Sequence, residues 1–198
     1  MLRIMKKAIF AGAALLITAT AAHADMLGVK AGYNYWNTTN HEEVQSVYGS
    51  FEHFIPLVPN VAFRAEKMDS DKLSFTSYET SAYYEFLDNG NIDFDLGLGL
   101  RRIASGESNG FDFSETFPVA SAEATLFEDS DLSFFGRVDL GKNGDSEFKD
   151  AQAGVRLGLF AGFSLQAGYR QYEMDLNIGR ANDTETMRGF NAGIHWAF

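Results

Sequence analysis

Residues 92–101 read Ile92-Asp-Phe-Asp-Leu-Gly-Leu-Gly-Leu-Arg101. Every second residue is a large hydrophobe, and Asp, Gly or Arg stands between. A period of two means a β-strand with one apolar face. The pattern recurs along the chain. Leu27, Val29, Ala31, Tyr33 and Tyr35 oppose Gly28, Lys30, Gly32 and Asn34. Ala151, Ala153, Val155, Leu157 and Leu159 oppose Gln152, Gly154, Arg156 and Gly158. Such runs predict ten strands, at 26–36, 45–55, 60–68, 73–87, 92–103, 117–127, 132–141, 149–159, 163–172 and 187–198.

Their connections alternate in character. Pro56–Asn60, Asp88–Asn91, Glu128–Asp131 and Phe160–Gly162 are tight and rich in turn residues. The others include the long polar stretches 104–116 and 173–186. The fold class expected is all-β: a transmembrane, antiparallel, up-and-down barrel of about ten strands, with eight as the alternative. Short periplasmic turns and longer external loops fit that class. A soluble β-sandwich also alternates. It would have to place the apolar faces of ten strands in one core, and it does not explain charges of both signs on the opposite face. Glycines at Gly28, Gly32, Gly97, Gly99, Gly154, Gly158, Gly168 and Gly193 suit the crowded concave side of a small barrel.

The two ends carry addresses. Arg3, Lys6 and Lys7 precede an apolar stretch from Ala8 to Thr20 and the small-x-small site Ala22-His23-Ala24. That order predicts a cleaved secretory signal peptide over 1–24 and a barrel over 25–198. Without Cys there is neither lipidation nor a disulfide. Residues 1–24 hold three of the 16 Lys and Arg and none of the 27 Asp and Glu, so 13 cations face 27 anions thereafter, a net −14. This charge excludes the basic footprint of nucleic-acid binding. At the other end, Asn191, Gly193, Trp196 and the final Phe198 resemble the C-terminal assembly signal of outer-membrane proteins. The resemblance implies recognition by the barrel-assembly machinery, after escort by periplasmic chaperones. A terminal strand can add to a partner's sheet edge.

Leu27–Trp36, Glu52–Asn60 and Tyr83–Asn89 resemble segments of a family of short, largely uncharacterised outer-membrane β-barrel proteins of Gram-negative bacteria. That family is noted in bacteria with a Gly-Gly C-terminal protein-sorting system. The resemblance implies a fold and a place, the cell outer membrane, and carries no catalytic residues.

Parity turns many charges inward: Lys30, Arg64, Arg101, Arg137, Arg156 and Arg170 against Glu52, Glu66, Glu79, Glu85, Asp93, Asp95, Glu123 and Asp139. They line either a selective pore or a plug of ion pairs. Ten strands lie near the filled end of the size range, and an unpaired buried charge is costly. A plugged, structural or surface-interaction barrel is therefore expected, and a narrow diffusion channel or transporter for small solutes is the alternative. No enzyme is expected. An omptin-like protease needs an Asp-His couple at the external rim of tall strands; the predicted strands are short, and no matching motif surrounds His41 in the first external loop. A lipid A deacylase resembles a small barrel with a membrane-facing His, but His53 lies near a periplasmic turn, and His195 faces inward. The acidic clusters Asp69-Ser-Asp71, Glu128–Asp131 and Asp145–Glu147 lack calcium-loop spacing, so neither a metal nor another cofactor is expected. Outward parity at five external strand ends gives Lys67, Arg102, Lys142, Lys149 and Arg188, a candidate ring for lipopolysaccharide phosphates. Loop acids such as Asp69, Glu107 and Asp150 could instead pair with them.

Overall fold

The computed structural model describes residues 27–38, 43–55, 57–69, 73–179 and 181–198, with backbone only at 181 and 182. The signal segment, His41 and Asp71 lie outside these residues. Ten strands follow in order: β1 (Leu27–Thr38), β2 (Glu43–His53), β3 (Asn60–Asp69), β4 (Leu73–Asp88), β5 (Ile92–Ser108), β6 (Phe111–Leu126), β7 (Leu132–Asn143), β8 (Ser146–Gly158), β9 (Phe163–Ile178) and β10 (Ala181–Ala197). Every neighbour is antiparallel, and β1 pairs with β10 to close the barrel. A single closed sheet has no facing second sheet, so the sandwich alternative falls. We call the end holding Leu27 and Phe198 the terminal end and the opposite one the distal end.

The expected asymmetry takes the form of long hairpins rather than loops. The stretches 104–116 and 173–186 are strand almost throughout, forming hairpins that project from the distal end. Only Asn109 and Gly110 separate β5 from β6, both at positive φ (49° and 81°). An Asn-Gly pair in that conformation matches the right-handed twist of the strands it joins. The segments look loop-like in sequence because they are polar. They form strand because their alternate residues, Phe113 and Phe117 on β6 and Met174, Leu176 and Ile178 on β9, turn into one interior.

That interior differs from the one nearer the terminal end. There, the outer wall is apolar: Leu98 is 72% exposed, and Leu96, Leu100, Val155, Leu157 and Leu165 stand out beside it. Farther along the strands the sides exchange. The outer face carries Glu107, Asp112, Glu173 and Asp175, while Trp36, Met68, Phe75, Ile103, Phe117 and Phe148 are buried inside. The apolar belt on β5 runs ten residue steps, from Ile92 to Arg102. At about 3.4 Å per residue and a tilt of about 40°, that is about 25 Å, the height of a lipid-facing band.

Candidate functional site

The lumen is built in three tiers. The distal tier is apolar. Phe117 packs edge-on against Phe148, with ring centroids 5.3 Å apart, and Phe148 stacks on Tyr172 at 5.9 Å. Leu176, Met174 and Met187 complete a cluster with almost no solvent exposure.

Below it lies a layer of ion pairs spanning seven strands. Arg101 on β5 donates to Glu79 at 2.7 Å through Nε and reaches Asp139 at 3.1 Å. Arg137 on β7 contacts Glu79, Glu123 and Asp139 at 3.1, 3.1 and 3.0 Å. Asp139, fully buried, also receives Arg64 at 3.2 Å. Arg170 on β9 forks onto Asp150 at 2.8 and 2.6 Å and meets Glu66 at 2.7 Å. Arg156 reaches Glu123 at 3.4 Å. Five arginines thus face five carboxylates, so each buried charge has the partner its desolvation demands. The two tiers are stitched together. The Arg101 guanidinium lies 4.3 Å from the Phe148 ring centroid and that of Arg170 lies 4.7 Å from Trp36, both cation–π distances.

The terminal tier is polar and opens a cavity of about 100 Å³ that extends up to Arg64, Arg137, Arg156 and Arg170 of the middle layer. Lys30 crosses it to Glu52 (3.1 Å), Glu128 (3.4 Å) and Asp93 (3.6 Å). The Tyr83 hydroxyl donates to Glu52 at 2.9 Å. The Tyr48 hydroxyl lies 2.7 Å from Nδ1 of His195, and Gln166 donates to Asn34 at 2.5 Å. Gly32 is required here, because a Cβ would run into the Tyr48 ring.

The inward residues given by parity line this interior, except Glu85, which is exposed beside a register shift in β4. Two partners are additional. Asp150 had counted as a loop acid; it is buried on β8 and holds Arg170. It shares the inward parity of Gln152, Gly154 and Arg156, and β8, starting at Ser146, carries that parity past it. Glu128 belongs to the β6–β7 turn, and no strand parity could have assigned it. The apolar tier is not foreseen by alternation, because the apolar residues change parity where it begins.

The terminal strand is paired on both sides. Its last residue exchanges backbone bonds with Val29, at 2.9 and 2.7 Å. Trp196 donates through its indole to the Ala161 carbonyl at 3.1 Å and stacks on Phe198 at 5.9 Å. Gly193 packs against the Tyr33 carbonyl, and Asn191 turns inward toward Gln152 at 3.5 Å.

Lys67, Arg102, Lys142, Lys149 and Arg188 are exposed where the outer wall changes from apolar to polar. Three have acidic neighbours on that surface: Lys67 with Asp69 (3.5 Å), and Lys142 and Lys149 with Glu147 (3.6 and 3.3 Å). Hydrogen bonds from both lysines and their charge hold the Glu147 carboxyl below its ordinary range, that of Lys149 being the largest influence. Such exposed pairs stabilise little.

The strands are longer than predicted, up to 17 residues, so short strands are no argument against an omptin-like rim. Among the described residues, however, both histidines stand toward the terminal end. His53 accepts the Ile55 amide at 3.3 Å beside a turn, and His195 lies in the chamber. Among the described residues, no group of His, Asp or Glu is arranged to hold a metal ion.

Solved structures similar to the chain are outer-membrane barrels. The outer-membrane protease OmpT from Escherichia coli aligns over 91% of this chain and 100% of its own, at 8% identity and a TM-score of 0.50. The NanC porin aligns over 86% and 98%, at 10% identity and a TM-score of 0.48. The N-terminal β-barrel domain of OprF from Pseudomonas aeruginosa aligns over 86% and 97%, at 9% identity and a TM-score of 0.42. At these identities the likeness is one of fold, and it is too distant in the last two to carry an argument. No protein-family profile matches the chain, and no curated protein matches it. The class defined by fold and site is the transmembrane β-barrel.

Proposed function

We propose that this chain is an integral barrel of the bacterial outer membrane, without enzymatic activity, whose lumen is closed and whose distal hairpins meet the outside. The observation that carries this is the stacking of two dissimilar layers across one lumen, an ion-paired layer beneath an apolar one. An apolar packed layer gives a hydrated solute no polar groups to replace its water. The family resemblance of the three segments quoted above agrees with this reading in fold and place.

Single-channel recording of the refolded protein in planar bilayers tests the closed lumen. No conductance steps are expected. Regular steps would instead favour a narrow diffusion channel for small solutes, the reading to which the terminal chamber lends some support.

The apolar belt of about 25 Å suits bilayer hydrocarbon. Lys67, Arg102, Lys142, Lys149 and Arg188 at its distal edge would meet lipopolysaccharide phosphates, each adding about 1 kcal/mol near an anionic surface. Replacing all five with Gln should reduce lipopolysaccharide co-purification and slow folding into lipopolysaccharide bilayers. Parity with the original protein in both assays would refute the ring. Asn191, Gly193, Trp196 and Phe198 are proposed as the signal read by the barrel-assembly machinery.

A further inference from the structure

We propose that the terminal chamber of the lumen is a binding site for a small organic ammonium ion, held by Asp93 and Asp95. The proposal uses only groups at the terminal end, so it holds whether or not the distal end conducts.

The charge balance differs between tiers. The middle layer is neutral, with five arginines on five carboxylates. Among the described residues Lys30 is the one cation in ion-pair contact at this wall, shared among Glu52, Asp93 and Glu128, while the other cations lining the cavity, Arg64, Arg137, Arg156 and Arg170, are held by acids of the middle layer. Asp93 is only 5% exposed, and its Oδ1 is buried with no hydrogen-bond donor. The Oδ1 of Asp95 is likewise buried and without a donor. A buried carboxylate oxygen without a donor is costly, and native structures supply one from protein, water or ligand. The two residues stand two apart on β5, so both project from the same face of the strand into the same cavity.

The cavity of about 100 Å³ has room for roughly 7–10 waters at about 10–15 Å³ each, or for a ligand of a few non-hydrogen atoms. An ammonium brings three donors and a positive charge. It is the group that Lys30 already presents to this wall. A bare metal ion fits less well, because among the described residues the carboxylates are not arranged to surround one. The neighbouring arginines of the middle layer are engaged with their own acids and leave Asp93 and Asp95 to a visitor. Glu128, which shares Lys30 with this wall, has a side chain 30% exposed in the β6–β7 turn.

The test is calorimetric titration of the full barrel, refolded in detergent, with 1,4-diaminobutane. Butane-1,4-diol and sodium chloride at matched ionic strength are the references. Saturable one-site binding is expected for the diamine and for neither reference. Asp95→Asn and Asp93→Asn should each weaken it at least tenfold, while Glu173→Gln on the distal outer face should not change it. If Asp93→Asn fails to give a heat-modifiable barrel, Asp95→Asn, at the less buried position, decides the matter. Absence of saturable heat in the millimolar range, equal binding of the diol, or undiminished binding by Asp95→Asn would overturn the proposal.

Discussion

Along β9, the outward residues of the terminal half are Phe163, Leu165, Ala167 and Tyr169; those of the distal half are Gln171, Glu173 and Asp175. The inward residues change in the opposite sense, from Ser164, Gln166, Gly168 and Arg170 to Tyr172, Met174, Leu176 and Ile178. One strand, without a bulge, therefore belongs to two kinds of protein. Its terminal half has its polar side within, as suits a wall bathed by hydrocarbon. Its distal half has its apolar side within, as suits a barrel in water. The backbone rule, alternation at a period of two, is the same throughout, and what changes is the solvent outside. On the proposed reading the change marks the membrane surface, and Lys67, Arg102, Lys142, Lys149 and Arg188 are exposed beside it.

The largest effects should come from breaking the two interior layers, which depend on different physics. Arg101→Ala would take from Glu79 its nearest cation and leave the dry layer one negative charge in excess, with an expected loss of about 3–5 kcal/mol in unfolding free energy. Arg101→Lys should rescue little of it, because an ammonium lacks the planar fork by which Arg101 sets two nitrogens on Glu79 and its face over Phe148. Phe117→Ala in the apolar layer should cost a similar amount, about 3–5 kcal/mol, through a cavity. Here Phe117→Leu should recover most of the loss. Denaturant titration in one detergent checks both series. If the conservative replacements behaved alike in the two layers, the distinction between them would be lost.

A much smaller effect belongs to the distal surface. Glu147 is held below its ordinary range by Lys149 and Lys142, so its contribution is present above the ordinary carboxylate range and lost as pH falls through it. Because the group is exposed, the change should be slight. Glu147→Gln should remove it from the pH profile of stability and leave the neutral-pH midpoint nearly unchanged.

The ten strands, their closure and the inward charges were legible because alternation is strong wherever one face meets lipid. The strand ends were not. Predicted strands stopped at 172 on β9 and began at 117 on β6 and 149 on β8, close to where polarity changes sides. In sequence, Tyr169 followed by Tyr172 shifts the apolar parity by one, and a parity shift looks the same as the end of a strand. The structure continues the strand straight through. For the same reason alternation alone does not place Phe148, Met174 and Leu176 in the interior; Asp150, by contrast, has the inward parity of Gln152. Which arginine meets which acid was also illegible. Glu66, inward by parity, pairs with Arg170 from a strand six places later in sequence, an encounter set by the closed barrel rather than by spacing.

The most direct test places Arg, one position at a time, at the outward sites Leu165, Ala167, Tyr169, Gln171, Glu173 and Asp175 of β9 and measures folding free energy into lipid bilayers. A charge facing mid-bilayer costs about 2–4 kcal/mol and less toward the interfaces, whereas a surface site in water changes stability by about 0.5 kcal/mol or less. The account predicts the largest cost near Ala167 and a fall to the surface value by Gln171 and beyond. A cost that persists to Asp175, or no cost at Ala167, would contradict a membrane boundary where the barrel turns its polarity over.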